Sequence, residues 1–140
     1  MKKRGDISQD YIYRDRVVLP ELIRQARNIV EYPTTEEKIY QTAANLPTKR
    51  FYMSDDSATA LIRSHIQNGI RPRFISLYKQ RLYDALYEEV TRMLSESRYQ
   101  GMSIGEVTTI ALTHPAPCIG LTPKVIMRIT VRNRKRHAKV

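Results

Sequence analysis

Residues 122–136 read TPKVIMRITVRNRKR, and two patterns compete in them. The β-branched run through Val125, Ile126, Ile129, Thr130 and Val131 favours a strand. Thr122 followed by Pro123 favours a helix start: a threonine hydroxyl accepts from orphan backbone N–H groups, and proline fits the first helical turn. The basic residues that follow also suit a helix C-terminus. An internal echo elsewhere in the chain tips the reading towards helix.

Shifting the chain on itself by 68 residues, without gaps, places Glu21 on Glu89, Arg24 on Arg92, Ala43 on Ala111 and Pro47 on Pro115. Leu22 then meets Val90, Ile39 meets Val107, and the capping residue Ser54 meets Thr122. Each half reads as a long helix, a short helix, a Pro-led extended piece and a capped helix. The echo predicts an internal repeat over residues 8–69 and 76–136, folded as two pseudo-equivalent three-helix units around one core. A half of about 70 residues is marginal alone. The expected fold class is mainly α: a compact helical domain of about six helices with short extended segments.

Local signals fill in the elements. Val17, Val18, Leu22, Ala26, Ile29 and Val30 recur near helical spacing, predicting a helix from about Ser8 to Glu31. Pro20 either kinks this helix or begins its main part. Tyr32-Pro33 ends it. Thr34 to Glu37 has capping-box spacing. Pro47 closes the short helix that follows, and residues 49–53 read as extended. Ser54-Asp55-Asp56 puts a small hydroxyl and two acids at a helix start, and Asn68-Gly69 is a stop. After a loop over 70–75, Ser76 caps a helix to about Ser97. Ser103 to Glu106 forms a second capping box, and His114-Pro115-Ala116-Pro117 must be extended. In domain terms, residues 1–7 form a basic arm, 8–131 a single helical domain and 132–140 a basic tail.

The chain has 140 residues and is 41% hydrophobic, which fits one ordinary domain and excludes a disordered chain. Lys and Arg number 24 against 14 Asp and Glu, a net charge of +10. Such a surplus draws phosphate backbones or anionic surfaces. Nine Tyr and two Phe, with no Trp, suit core margins, interfaces or base stacking. The single cysteine, Cys118, excludes an intrachain disulfide and fits a reducing compartment. No apolar stretch of signal-peptide length follows the basic N-terminus, and no window is apolar enough to span a membrane. A soluble, cytoplasmic protein is expected.

Two basic groups are the candidate sites. Lys124, Arg128, Arg132, Arg134, Lys135, Arg136 and Lys139 occupy the C-terminal segment, and no acid occurs from residue 119 onward. If the segment is helical, Arg128, Arg132 and Arg136 or Lys135 share a stripe suited to a phosphate chain. Arg50, Arg71 and Arg73 form a second group with Lys49 and Arg63, interleaved with Phe51, Tyr52 and Phe74. Arg would hold phosphate there, while the two Phe rings read more readily as loop anchors in the core than as stacking platforms. Residues 35–46 and 54–67 have the order of a helix-turn-helix reader, but the link is long, and Asp55 and Asp56 would repel phosphate. Helix 122–136 is the better contact element.

Enzyme signals are weak. His114 and Cys118 stand four apart across prolines, with His65 and His137 distant, so zinc-ligand spacing is missing. Cys118 has apolar neighbours, as a structural thiol does. There is no P-loop and no dinucleotide motif, and no cofactor is expected. The Pro-led stretches Leu46 to Ser54 and His114 to Thr122 resemble small uncharacterised proteins of Bacteroidetes genomes, their prophages and mobile elements. The resemblance implies a mobile-element or phage setting and transfers no activity or residues. A non-enzymatic protein that binds DNA or RNA is the leading expectation. A phage structural or adaptor subunit that oligomerises or meets a protein partner is the alternative. Membrane attachment lacks a helix with both a basic face and bulky apolar anchors.

Overall fold

Pro20 sits inside a helical run and shapes one half of the fold. In the computed structural model, which describes residues 9–138 and the side chains of 11–136, helix α1 (Gln9–Tyr13) passes into a π-helical turn (Arg14–Val18) and then into α2 (Leu19–Ile29). The arm expected over residues 1–7 and Lys139 lie outside the described residues. Proline lacks an N–H, and in an α-helix its ring would clash with the carbonyl four residues back. The main helix α2 accordingly starts with Pro20 in its first turn, one of the two outcomes its position allows; ahead of it the turn widens, and the Leu19 N–H bonds the Arg14 carbonyl five residues back. In that register the Asp15 carbonyl faces Pro20 and finds no donor. The Asn133 side chain supplies one, donating Nδ2–H to it at 2.9 Å.

The chain divides into two units. Of the described residues, those up to 46 and from 121 onward form the first, and 47–120 the second. In the first unit, α3 (Glu36–Ala44) and α7 (Pro123–Ala138) pack with α2. The core is Leu19, Leu22, Ile23 and Ala26 of α2, Ile39, Tyr40, Ala43 and Ala44 of α3, and Ile126 and Ile129 of α7. Burying each of those isoleucines contributes about 1.5–3 kcal/mol, enough to hold α7 down. Helix α3 begins one residue later than its sequence pattern predicts. Thr35 is the cap, accepting from the Lys38 N–H at 3.1 Å. Lys38 then stands where a capping box needs Glu37, so that box does not form. Val125 N–H bonds the Thr122 hydroxyl at 3.2 Å, the cap read from the sequence.

The second unit holds α4 (Asp55–Asn68), α5 (Leu77–Leu94), a 3-10 turn (Ser97–Tyr99) and α6 (Ile104–Ala111), with α6 packed on both α4 and α5. Phe51, Ile62, Tyr83, Leu86, Val90, Met93 and Val107 lead its core. The Ser103–Glu106 capping box forms in full, at 3.1 and 3.3 Å. Ser76 caps α5, and Gly69 ends α4 in the left-handed conformation. Ser54 takes the N-cap position of α4 without the side-chain cap bond; the Asp55 carboxylate accepts from the Thr109 hydroxyl at 2.9 Å. Gly120 has φ +83, and a Cβ there would meet Leu82 at 2.6 Å, so the chain needs glycine.

The fold is mainly helical, as the periodicity predicts. Among the described residues the one β feature is an antiparallel bridge between Thr48 and Ala116, with both N–H···O bonds at 3.0 Å. These two residues are 68 apart, the register of the sequence echo. The units do not coincide with the sequence halves. Helix α4 packs on α6 and meets α5 through His65 against Tyr83 and Tyr87, whereas α7 packs with α2 and α3.

Candidate nucleic-acid interface

Helix α7 buries one side and charges the other. Ile126 and Ile129 are buried, and Thr130 and Asn133 are half-buried beside them. Lys124, Arg128, Arg132, Arg134, Lys135 and Arg136 are all exposed. At about 100° per residue, Lys124, Arg128 and Lys135 share the arc opposite the isoleucines with Arg132 at its edge, and successive i,i+4 cations lie about 6 Å apart along the axis. The described part of the helix contains no carboxylate. Met127 and Val131 stand on its exposed flank at 41% and 40% exposure, offering apolar surface beside the charges.

Two of these cations have partners from other helices of the same unit. Arg132 Nη2 lies 3.6 Å from Asp15 Oδ2, and Arg134 Nη2 lies 3.8 Å from Glu36 Oε2. Both separations exceed a hydrogen bond, and both arginines are 60% exposed, so the pairs are weak and leave the guanidinium donors open to a stronger anion. Glu36 is held more firmly by others: Tyr40 donates to it at 2.8 Å and Arg27 at 3.2 Å. Those two hydrogen bonds keep its carboxyl below the usual carboxylate range, and burial together with Glu36 pushes the Tyr40 phenol up.

Arg134 and Arg136 also share a cleft of about 500 Å³ with Arg16 of the π-helical turn; Pro20, Ile23, Thr130 and Asn133 complete its lining. Arg16 lay outside the sequence-level candidates. Its signal was Pro20 four residues on, inside an apolar periodicity that otherwise continues.

The second basic group is arranged differently. Arg71 makes a two-pronged bond to Asp84, at 2.6 and 3.3 Å, and Asp84 also accepts from Gln80 at 3.1 Å. Partial burial raises the Asp84 pKa, but these bonds outweigh it and hold the carboxyl below its ordinary value. The Arg50 guanidinium sits 5.3 Å from the Tyr52 ring and is half-buried. Phe51 and Tyr52 are buried, so neither ring can take a base, and Phe74 packs against Tyr83 at 5.8 Å. Arg73 is exposed. The structure thus gathers the α7 cations on one helix of the first unit and gives Arg50 and Arg71 local partners in the second. Helices α3 and α4, the candidate helix-turn-helix pair, fall in different units.

The groups with chemical potential are housed structurally. Cys118 is buried, its thiol bonds the Tyr78 carbonyl at 3.5 Å, and burial raises its pKa. His65 stacks on Tyr87 at 3.7 Å between ring centroids and meets the Tyr83 hydroxyl at 3.0 Å; burial pushes the Tyr83 phenol up to about 12. His114 faces Glu89 at 3.4 Å. Among the described residues, no three His, Cys, Asp or Glu side chains gather where they could hold a metal ion, and no helix is long and apolar enough to cross a membrane.

Comparison with protein-family models, with curated proteins and with solved structures found no match to this chain.

Proposed function

We propose that this is a non-enzymatic nucleic-acid-binding protein that grips the phosphate backbone with the solvent face of α7. One observation carries the reading: a helix anchored by Ile126 and Ile129 presents Lys124, Arg128, Arg132 and Lys135 to solvent with no carboxylate of its own. Arg134 and Arg136 flank the stripe. Arg73 is a secondary contact, and Arg50 and Arg71 contribute only if an incoming phosphate displaces their present partners. A backbone reader of this kind acts without cofactor, on DNA or RNA, in the cytoplasm or in a phage or mobile-element particle. Each neutralised phosphate releases counterions, so affinity must fall steeply with salt.

The test is a titration of labelled duplex and single strand with the full chain at several salt concentrations. About four phosphate contacts predict a slope of log K on log salt near −3 to −4 for duplex. An affinity that ignores salt would sink the proposal.

A second reading is supported by the second unit, where Ile70, Ile75 and Leu77 expose large apolar side chains, Ile75 completely. Such a group fits a subunit that assembles with itself or with another protein. Sedimentation separates the readings: a stable oligomer without nucleic-acid affinity favours assembly.

A further inference from the structure

The cleft between the π-helical turn and α7 differs in kind from the stripe beside it. The stripe is convex and open, and it suits a chain of phosphodiesters. The cleft encloses about 500 Å³ and is lined by Arg16, Arg134 and Arg136 together with Pro20, Ile23 and Thr130. We infer that this cleft binds a phosphomonoester carried on a sugar and base: a nucleoside monophosphate, or the phosphorylated end of a strand.

Three features select that chemistry. The first is size. A bare phosphate would leave most of the volume empty, whereas the cleft lies within the usual range for small organic ligands, about 300–1,000 Å³. The second is charge. Arg16, Arg134 and Arg136 supply three cations, and Glu36 at 3.8 Å from Arg134 offsets part of one. The remainder matches a phosphomonoester, which carries about −1.5 to −2 at neutral pH, better than the single charge of a backbone diester. Guanidinium forks also suit the oxygens of a terminal phosphate. The third is rigidity. The widened turn and the Asn133 bond to the Asp15 carbonyl tie the turn to α7, so the two elements that carry Arg16 and Arg134 with Arg136 are held together around the cleft they line. The apolar lining then packs the sugar or base while the arginines hold the phosphate.

The free-nucleotide form of this inference stands on the cleft alone. The strand-end form rests also on the backbone-binding reading above. Calorimetry with the full chain separates them, using adenosine 5′-monophosphate, adenosine, inorganic phosphate, and a short single strand with and without a 5′-phosphate. The expected result is that adenosine monophosphate binds at least about tenfold more tightly than adenosine or phosphate alone. Replacement of Arg16 by glutamine (Arg16→Gln) should remove most of that advantage while the far-ultraviolet circular dichroism stays unchanged, because Arg16 is exposed. If the 5′-phosphorylated strand also outbinds its 5′-hydroxyl twin, and Arg16→Gln erases the difference, strand ends are a source. If only the mononucleotide shows the preference, free nucleotides are. Phosphate binding as well as adenosine monophosphate would overturn the inference, because the apolar lining would then do nothing. So would equal affinities for all probes, even if long duplex still binds in a salt-dependent way.

Discussion

The cations of α7 and those of the second unit meet different fates. In the second unit most have an acid or a ring within reach on the same or a neighbouring helix. Arg92 pairs with Glu89 and Glu96, Arg98 with Glu96 and the Tyr99 ring, and Arg71 with Asp84. Lys79 and Arg81 lie over Phe74 and Tyr78. In α7 of the first unit, six exposed cations share a helix with no acid in its described part, and among the described residues only Arg132 and Arg134 of the six meet a carboxylate, both beyond hydrogen-bond distance. A surplus of positive charge is therefore a poor guide to a binding surface by itself. What distinguishes α7 is the absence of acids at its own i±3 and i±4 positions, where they would bind its cations first.

The sharpest way to break this contrast is to ask whether the second unit's aromatic-basic segment binds anything. Phe51 is buried at 1% exposure, so Phe51→Ala should lower unfolding free energy by about 3–5 kcal/mol in urea titrations, while the folded fraction keeps its nucleic-acid affinity. A stacking platform would give the reverse: stability kept and affinity lost. Next comes a pair of charge reversals of equal size. Arg128→Glu with Lys135→Glu in α7 should weaken duplex binding by about 100-fold at low salt and flatten the salt slope by about two. Lys79→Glu with Arg81→Glu in α5 changes net charge by the same amount and should cost less than about threefold. Equal losses would mean that the charge total, not its arrangement, governs binding.

Much of this contrast was legible in the sequence, and the remainder failed for identifiable reasons. Helix over strand for residues 125–131 was suggested by the Thr122-Pro123 start and the basic tail, and the internal echo tipped the choice. The structure shows why it holds: Ile126 and Ile129 are buried at helical spacing, whereas a strand's alternation would bury Met127 and Val131, which are exposed. The start of α3 slipped by one residue because Thr34 and Thr35 are adjacent and Glu36 and Glu37 follow, so two cap registers look alike. The π-helical turn was hidden because its stabilising donor, Asn133, is 118 residues from Asp15. For the same reason the basic residues could be named but their partners could not. Asp15, Glu36 and Asp84 reach Arg132, Arg134 and Arg71 through tertiary packing that local pattern does not encode.

The π-helical turn yields a cycle that tests how α7 is held. Asn133→Ala leaves the Asp15 carbonyl without its donor and should cost about 1–3 kcal/mol, read as a shift in the urea midpoint. Pro20→Ala restores a backbone N–H and lets a regular helix form, so in that background Asn133→Ala should cost much less. Equal costs in both backgrounds would show that Asn133 acts by packing alone, and the proline would lose its part in positioning the arginines.

The smallest effect is electrostatic and has a definite sign. Glu36 in the first unit and Asp84 in the second both have folded pKa values below their ordinary ones, Glu36 through Tyr40 and Arg27, Asp84 because Arg71 and Gln80 outweigh its burial. A depressed carboxylate binds fewer protons folded than unfolded, so its stabilisation is complete above the ordinary carboxylate pKa and is lost as pH falls through the depressed value. Melting temperature should therefore stay level from pH 7 to about 5 as far as these groups are concerned, then drop below about pH 4.5. Asp84→Asn should remove part of that acid slope, and so should Glu36→Gln. Only Glu36→Gln should alter nucleic-acid binding, tightening it slightly at neutral pH, because it frees Arg134 on the α7 side whereas Asp84 restrains an arginine of the second unit. If Asp84→Asn tightens binding as much, Arg71 belongs to the working surface, and the division between the α7 cations and those of the second unit does not hold.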